Sequence, residues 1–268
     1  MPSTKESLAT MSSIISSVGY YPARSVFADF VEMAAIAIRN SCDQSARDVR
    51  EARYLTLIGK YKPQDQPKFG ELLQHLVQAL DLQAGDLLGE LYMRLGVSNA
   101  DMGQFFTPPS ISTVLSKLAM DSEHIQAQVK RRGFVTLSEP ASGSGAMVIG
   151  FANSMLELGI NYQQHLHATL IDLDIRAVHM AFIQLSLLHI PAVVVHGNTL
   201  TLAEYSDWHT PSHAMNLFDY KLKRGFSLES EMGIAYLKED SATQLSEFTC
   251  GVLAHTAVDN NFVQASNL

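Results

Sequence analysis

Apolar residues in PARSVFADFVEMAAIAIRNSC return at helical spacing, with Val26, Phe27, Phe30, Val31, Ala34 and Ile38 on one stripe and Pro22 at the start. The same rhythm predicts a second helix over QSARDVREARYLTLIGKY, stopped by Pro63. A third covers KFGELLQHLVQALDL, with Phe69, Leu72, Leu73, Leu76, Val77 and Leu80 in line. A fourth, GDLLGELYMRLG, ends at Gly96. With the Ser-rich leader that precedes them, residues 1–97 are expected to form an all-helical module without internal repeats. GQFFTPP breaks the rhythm, because two prolines after paired aromatics cannot continue a helix. PSISTVLSKLAM then resumes it as a fifth helix.

From residue 133 the period changes. GFVTLSEP, HATLIDLD and AVVVHGN read as strands, separated by the helical runs GAMVIGFANSMLELG and IRAVHMAFIQLSLLHI. Strand, helix, strand, helix, strand predicts a parallel, doubly wound sheet of the Rossmann-like α/β class, within a second domain spanning 98–268. Ligands of such sheets bind at the carboxyl ends of the strands. Here those ends are Glu139 to Gly143, Asp172-Leu173-Asp174 and Gly197-Asn198. After about residue 205 no clean period is legible. GIAYLKED reads as one strand at most, EFTCGVLAHTAV as a strand or a helix, and the sheet is left incomplete.

Composition narrows the class. In 268 residues, 47% are hydrophobic and 17% charged, which is globular rather than disordered. No apolar run is long enough for a membrane helix, and the leader lacks the layout of a signal peptide. Cys42 and Cys250 stand far apart with no CxxC, so a reducing cytoplasmic setting without structural zinc is expected. The net charge is −8, and most of the acidic excess falls after residue 200. The basic clusters Lys130-Arg131-Arg132 and Lys221-Lys223-Arg224 read as solvated faces rather than phosphate contacts.

The strand ends carry the candidate chemistry. Gly143 and Gly145 allow a tight turn and close ligand approach at a helix N-terminus. Asp172 can accept ribose hydroxyls, and the amide of Asn198 can read an adenine edge. Together they point to an adenosine cofactor, against a structural turn with no ligand. No GxxxxGK[ST] is present, and the GxGxxG register of dinucleotide folds is not met. Glu139 would repel a pyrophosphate but could hold a cationic ligand, which favours S-adenosylmethionine.

Two motifs then resemble a known family. EPASGSGAMV looks like the [DE]PAxGxG motif of the N6-adenine DNA methyltransferases, and GQFFTPP resembles the G[QE]F[YF]TP motif of their type I modification-subunit branch. DLLGELYMRLG is similar to the helix that leads into the latter. The resemblance implies that Phe106 and Thr107 fold over S-adenosylmethionine. Glu139, Ala141, Gly143, Gly145, Asp172, Leu173 and Asn198 complete the cofactor set. It also implies DNA as a partner, with a separate specificity or restriction subunit.

The family's [DNS]PP[YFW] motif is missing, since no PP pair follows Pro109. The nearest substitute is DWHTPSH, where Asp207, Trp208 and His209 would serve the flipped adenine, Trp208 by stacking; the alternative is that Trp208 anchors the tail. Leu217 to Tyr220 is a second candidate. His209 and His213 are four apart but have Pro211 between them, so no metal is expected. The functions in play are a DNA adenine-N6 methyltransferase, a non-catalytic relative with an anti-restriction or regulatory role, and a methyltransferase for RNA or a small molecule.

Overall fold

The computed structural model describes residues 3–96 and 121–240. GQFFTPP with Phe106 and Thr107, the helix expected after it, the expected boundary at 97–98 and EFTCGVLAHTAV lie outside the described residues.

The Ser-rich leader is a helix. α1 (Thr4–Ser16) opens on a capping box between Ser3 and Glu6, and buries Leu8, Met11 and Ile15 on one face. α2 (Ala23–Cys42) begins after Pro22 and buries Val26, Phe27, Phe30, Val31 and Ala34 of the predicted stripe, with Ile38 partly buried against the core. α3 (Arg47–Ile58) is capped at Gly59 rather than stopped at Pro63, and buries only Leu57. α4 (Pro67–Leu82) has proline in its first turn and buries Phe69, Leu72, Leu76 and Leu80, whereas Val77 is exposed. α5 (Leu87–Arg94) is capped by the Asp86 side chain, which accepts from the Gly89 N–H. α1 packs on α4, and α2 on α3.

α6 (Ser122–Arg132) leads into β1 (Val135–Glu139), then α7 (Ala146–Glu157), the short α8 (Tyr162–His165), β2 (Leu166–Asp172), α9 (Ile175–Leu187) and β3 (Ala192–Asn198). The three predicted strands are parallel, in the order β1-β2-β3. The sheet continues where the sequence was illegible. β4 (Ala203–His209) turns back beside β3 and pairs antiparallel to it, with Asn198 opposite Ala203 and Val193 opposite His209. α10 (Pro211–Met215) and α11 (Phe218–Arg224) follow, and residues 231–240, which contain all of GIAYLKED, are helical rather than extended.

One hydrophobic cluster runs through both parts of the chain, joining Phe27, Phe30 and Leu88 of the helices to Leu170, Phe182 and Val194 of the sheet layer. α2 lies along α9, which covers the sheet, so the N-terminal helices share the core of the α/β layer.

Candidate functional site

Each parallel strand delivers its last residues to the same rim. The loop after β1 runs from Pro140 to Gly145, where Gly143 and Gly145 take φ of 53° and 91°, a region that strains any side chain-bearing residue. This loop is tied to the end of β2: the Ser142 N–H donates to the Ile171 carbonyl at 3.0 Å, and the Gly143 N–H to Asp172 Oδ2 at 2.8 Å. The Thr199 hydroxyl after β3 donates to the Pro140 carbonyl at 2.6 Å. Glu139, Ala141, Gly143, Gly145, Asp172, Leu173 and Asn198 therefore converge on one edge of the sheet.

The polar groups of this rim keep capacity for a ligand. Asp172 accepts from the N–H groups of Gly143 and Asp174, which leaves further lone pairs on both oxygens. Asn198 Oδ1 accepts from the Leu200 and Thr201 N–H groups, and its amide nitrogen has no partner among the described residues. Ser142 Oγ is buried inside the loop and has no hydrogen-bond partner among the described residues. Leu173 and Leu200 stand exposed as apolar walls. Glu139 is half-buried, with only a 3.4 Å contact from the Ala141 N–H and no paired cation among the described residues; burial pushes its carboxyl above the ordinary value. A negative group held short of solvation fits a positively charged ligand. These donors, acceptors and the uncompensated carboxylate suit S-adenosylmethionine.

A second layer holds the loop from below. Asp86, at the start of α5, is buried and accepts three hydrogen bonds: from the Ser144 hydroxyl at 2.5 Å, the Gly89 N–H at 2.9 Å and Gln184 Nε2 at 3.0 Å. Gln184 also donates to the Ser144 carbonyl and accepts from the Leu88 N–H, both at 2.9 Å. A methyl group on Gly89 would collide with the Asp86 carboxylate and the Ser144 hydroxyl, so the helix closes on the loop only with glycine there. Burial pushes the Asp86 carboxyl up, opposed by these hydrogen bonds. Sequence reasoning misses this trio, although Asp86 opens the DLLGELYMRLG motif.

Asp207, Trp208 and His209 are not brought to this rim. Because β4 is antiparallel, they face Val195, Val194 and Val193, and His209 lies roughly 16 Å of strand away from the Asn198 end. Trp208 is buried between Phe182 and His179, with the Arg39 guanidinium 4.9 Å over its ring and Arg39 Nη1 donating to the Asp207 carbonyl. Leu217 to Tyr220 starts α11 beside the same far end, where the Phe218 ring lies tilted against His167 with centroids 4.9 Å apart. Lys130 and Lys221 also meet there, around a cavity of about 570 Å³ shared with Glu229 and Glu231, and Lys130 pairs with Glu231 at 3.2 Å.

Comparison with known proteins gives this rim a context. A structure from Listeria monocytogenes, titled as a candidate class I S-adenosylmethionine-dependent methyltransferase, aligns with 15% identity and a TM-score of 0.43, covering 74% of this chain and 53% of that one. The type I restriction-modification system methyltransferase subunit from Streptococcus thermophilus aligns with 12% identity and a TM-score of 0.38, covering 71% of this chain and 57% of that one. The chain thus spans little more than half the length of either structure. No curated protein matches. A model of the N-6 DNA Methylase family matches residues 83–220, a stretch that starts just before Asp86 and takes in the glycine loop and all four strands. That match covers more than half of the sequence, and the chain belongs to the N-6 DNA methylase family.

Proposed function

We propose that this chain binds S-adenosylmethionine at the carboxyl ends of β1, β2 and β3 and serves methyl transfer to the exocyclic amine of adenine in DNA. The observation that carries the reading is the half-buried Glu139 carboxylate beside the glycine loop, with no ion-pair partner among the described residues, in a chain of the N-6 DNA methylase family. When bound, the cofactor supplies an electrophilic methyl on a sulfonium. Glu139 offsets the positive charge, Asp172 accepts from the ribose, and the Asn198 amide nitrogen donates to the adenine ring. Phe106 and Thr107 belong to the same proposed set. DNA and a specificity or restriction subunit are the proposed partners, and the cytoplasm is the proposed setting.

A second reading is favoured by one specific observation, the placement of Asp207, Trp208 and His209 at the far end of the sheet. In that reading the chain binds the cofactor without transferring methyl, as a regulatory or anti-restriction partner. Tritiated-methyl transfer from S-adenosylmethionine to mixed-sequence DNA separates the two. Incorporation that is lost in Asp172→Ala supports the enzyme. Cofactor binding with no incorporation supports the second reading, and no cofactor binding overturns both.

A further inference from the structure

At the end of the sheet away from the glycine loop, three imidazoles and two carboxylates gather that the cofactor reading leaves unused. β4 finishes on Asp207 and His209. Pro211 does not interrupt a helix there; it starts α10, the position where its missing N–H is not needed. The chain therefore turns once after the strand and places the His213 ring against that of His209, tilted, with centroids 4.6 Å apart. Leu217, at φ 55°, redirects the chain into α11, whose first turn carries Asp219.

His213 is the pivot, buried to 2% exposure. Its Nε2 lies 3.0 Å from Asp219 Oδ1, and its Nδ1 lies 2.9 Å from Nε2 of His167, which is also buried. His209 Nε2 sits 3.0 Å from Asp207 Oδ2. One ligand atom each from His209, His213 and Asp219 lies within 4.8 Å of the others.

We propose that His209, His213 and Asp219 form a binding site for a borderline divalent transition-metal ion, zinc foremost. Tetrahedral zinc with bonds near 2.1 Å separates its ligand atoms by about 3.4 Å. The His213–Asp219 distance is already close to that, and His209 and Asp219 are both exposed, so rotation of the His209 ring away from Asp207 with a small adjustment of Asp219 completes the set. His167 supplies the outer contact that orients a metal-bound imidazole. When His213 Nδ1–H donates to His167, the Nε2 lone pair of His213 faces the Asp219 carboxylate, and a cation between them satisfies both. No Lys or Arg ion-pairs with the Asp207 or Asp219 carboxylate among the described residues; Arg39 reaches only the Asp207 carbonyl. Three protein ligands leave one position for water. A bound ion would tie β4, α10 and α11 together, and this inference is independent of the cofactor reading.

The test uses the full chain stripped of metal with a chelator, titrated with Zn²⁺ by calorimetry and with Co²⁺ by visible absorption. The expected result is one Zn²⁺ per chain at micromolar affinity and a tetrahedral Co²⁺ spectrum. His209→Ala and Asp219→Asn replace exposed side chains, so their folding, checked by circular dichroism, should be intact. Each should weaken Zn²⁺ binding on the order of ten- to a hundredfold. Absence of Zn²⁺ binding in the wild type, or binding that either variant leaves unchanged, would overturn the site.

Discussion

Asp86 shows how a single buried carboxylate can set a loop. Replacing it with alanine leaves the Ser144 hydroxyl, the Gly89 N–H and the Gln184 amide without their acceptor, at about 1–3 kcal/mol for each buried donor left unpaired. Asparagine keeps one acceptor for Gly89 and Gln184 and can donate to Ser144 instead. Chemical denaturation should therefore find Asp86→Ala strongly destabilised and Asp86→Asn close to wild type. The sign of the pH effect follows from the raised carboxyl. The folded state holds that proton more tightly, so its stabilising contribution is lost as pH rises through the folded value, and Asp86→Asn should remove that slope.

His179 has the opposite sign. Burial, the largest cause, lowers it to about 4 from the ordinary 6.5, where it packs edge-on against Trp208. Its stabilising contribution is present above pH 6.5 and is lost as pH falls toward about 4. Melting temperatures across that window should fall less steeply in His179→Phe than in the wild type. A parallel fall in both would remove His179 as a cause.

At the scale of elements, β4 is where sequence and structure part. Its residues alternate poorly, and along AEYSDWH only Trp208 is fully buried, because an antiparallel edge strand packs one face over a short length. A strand with one buried residue has no period to read. β2 and β3 are legible because both faces are largely covered and their apolar runs end at turn residues, and β1 because exposed Thr136 and Ser138 alternate with covered positions. α1 was hidden in a different way, for its buried Leu8, Met11 and Ile15 keep helical spacing among serines that usually mark caps and loops. Trp208 belongs to this scale too, as the contact that fastens β4 to α2 and α9. Trp208→Ala should cost about 3–5 kcal/mol of stability, as large core truncations do. Cofactor affinity, measured where the variant is folded, should not change. A selective loss of methyl transfer without a stability change would return Trp208 to the site.

For the whole molecule, the gathering of the glycine loop, Asp172 and Asn198 at one rim is legible because a parallel sheet lines up its strand ends in chain order. The Asp86 network was not readable, since Ser144 and Gln184 lie 58 and 98 residues away and an aspartate before a helix reads as a simple cap. The same distance makes the N-terminal helices part of the site, because α5 supports the loop that the sheet presents. The placement of β4 leaves the two ends of the sheet with different chemistry, a rim of cofactor-type donors at one and a histidine cluster at the other.

The central claim is that the rim binds S-adenosylmethionine, and calorimetric titration of the cofactor into wild type and Asp172→Ala tests it most directly. Each charge-assisted hydrogen bond to the ribose is worth roughly 1.5–3 kcal/mol, so the variant should bind at least about tenfold more weakly than a wild type that takes up one cofactor per chain. A wild type that takes up no cofactor, or an Asp172→Ala variant that binds it equally well, would contradict the account.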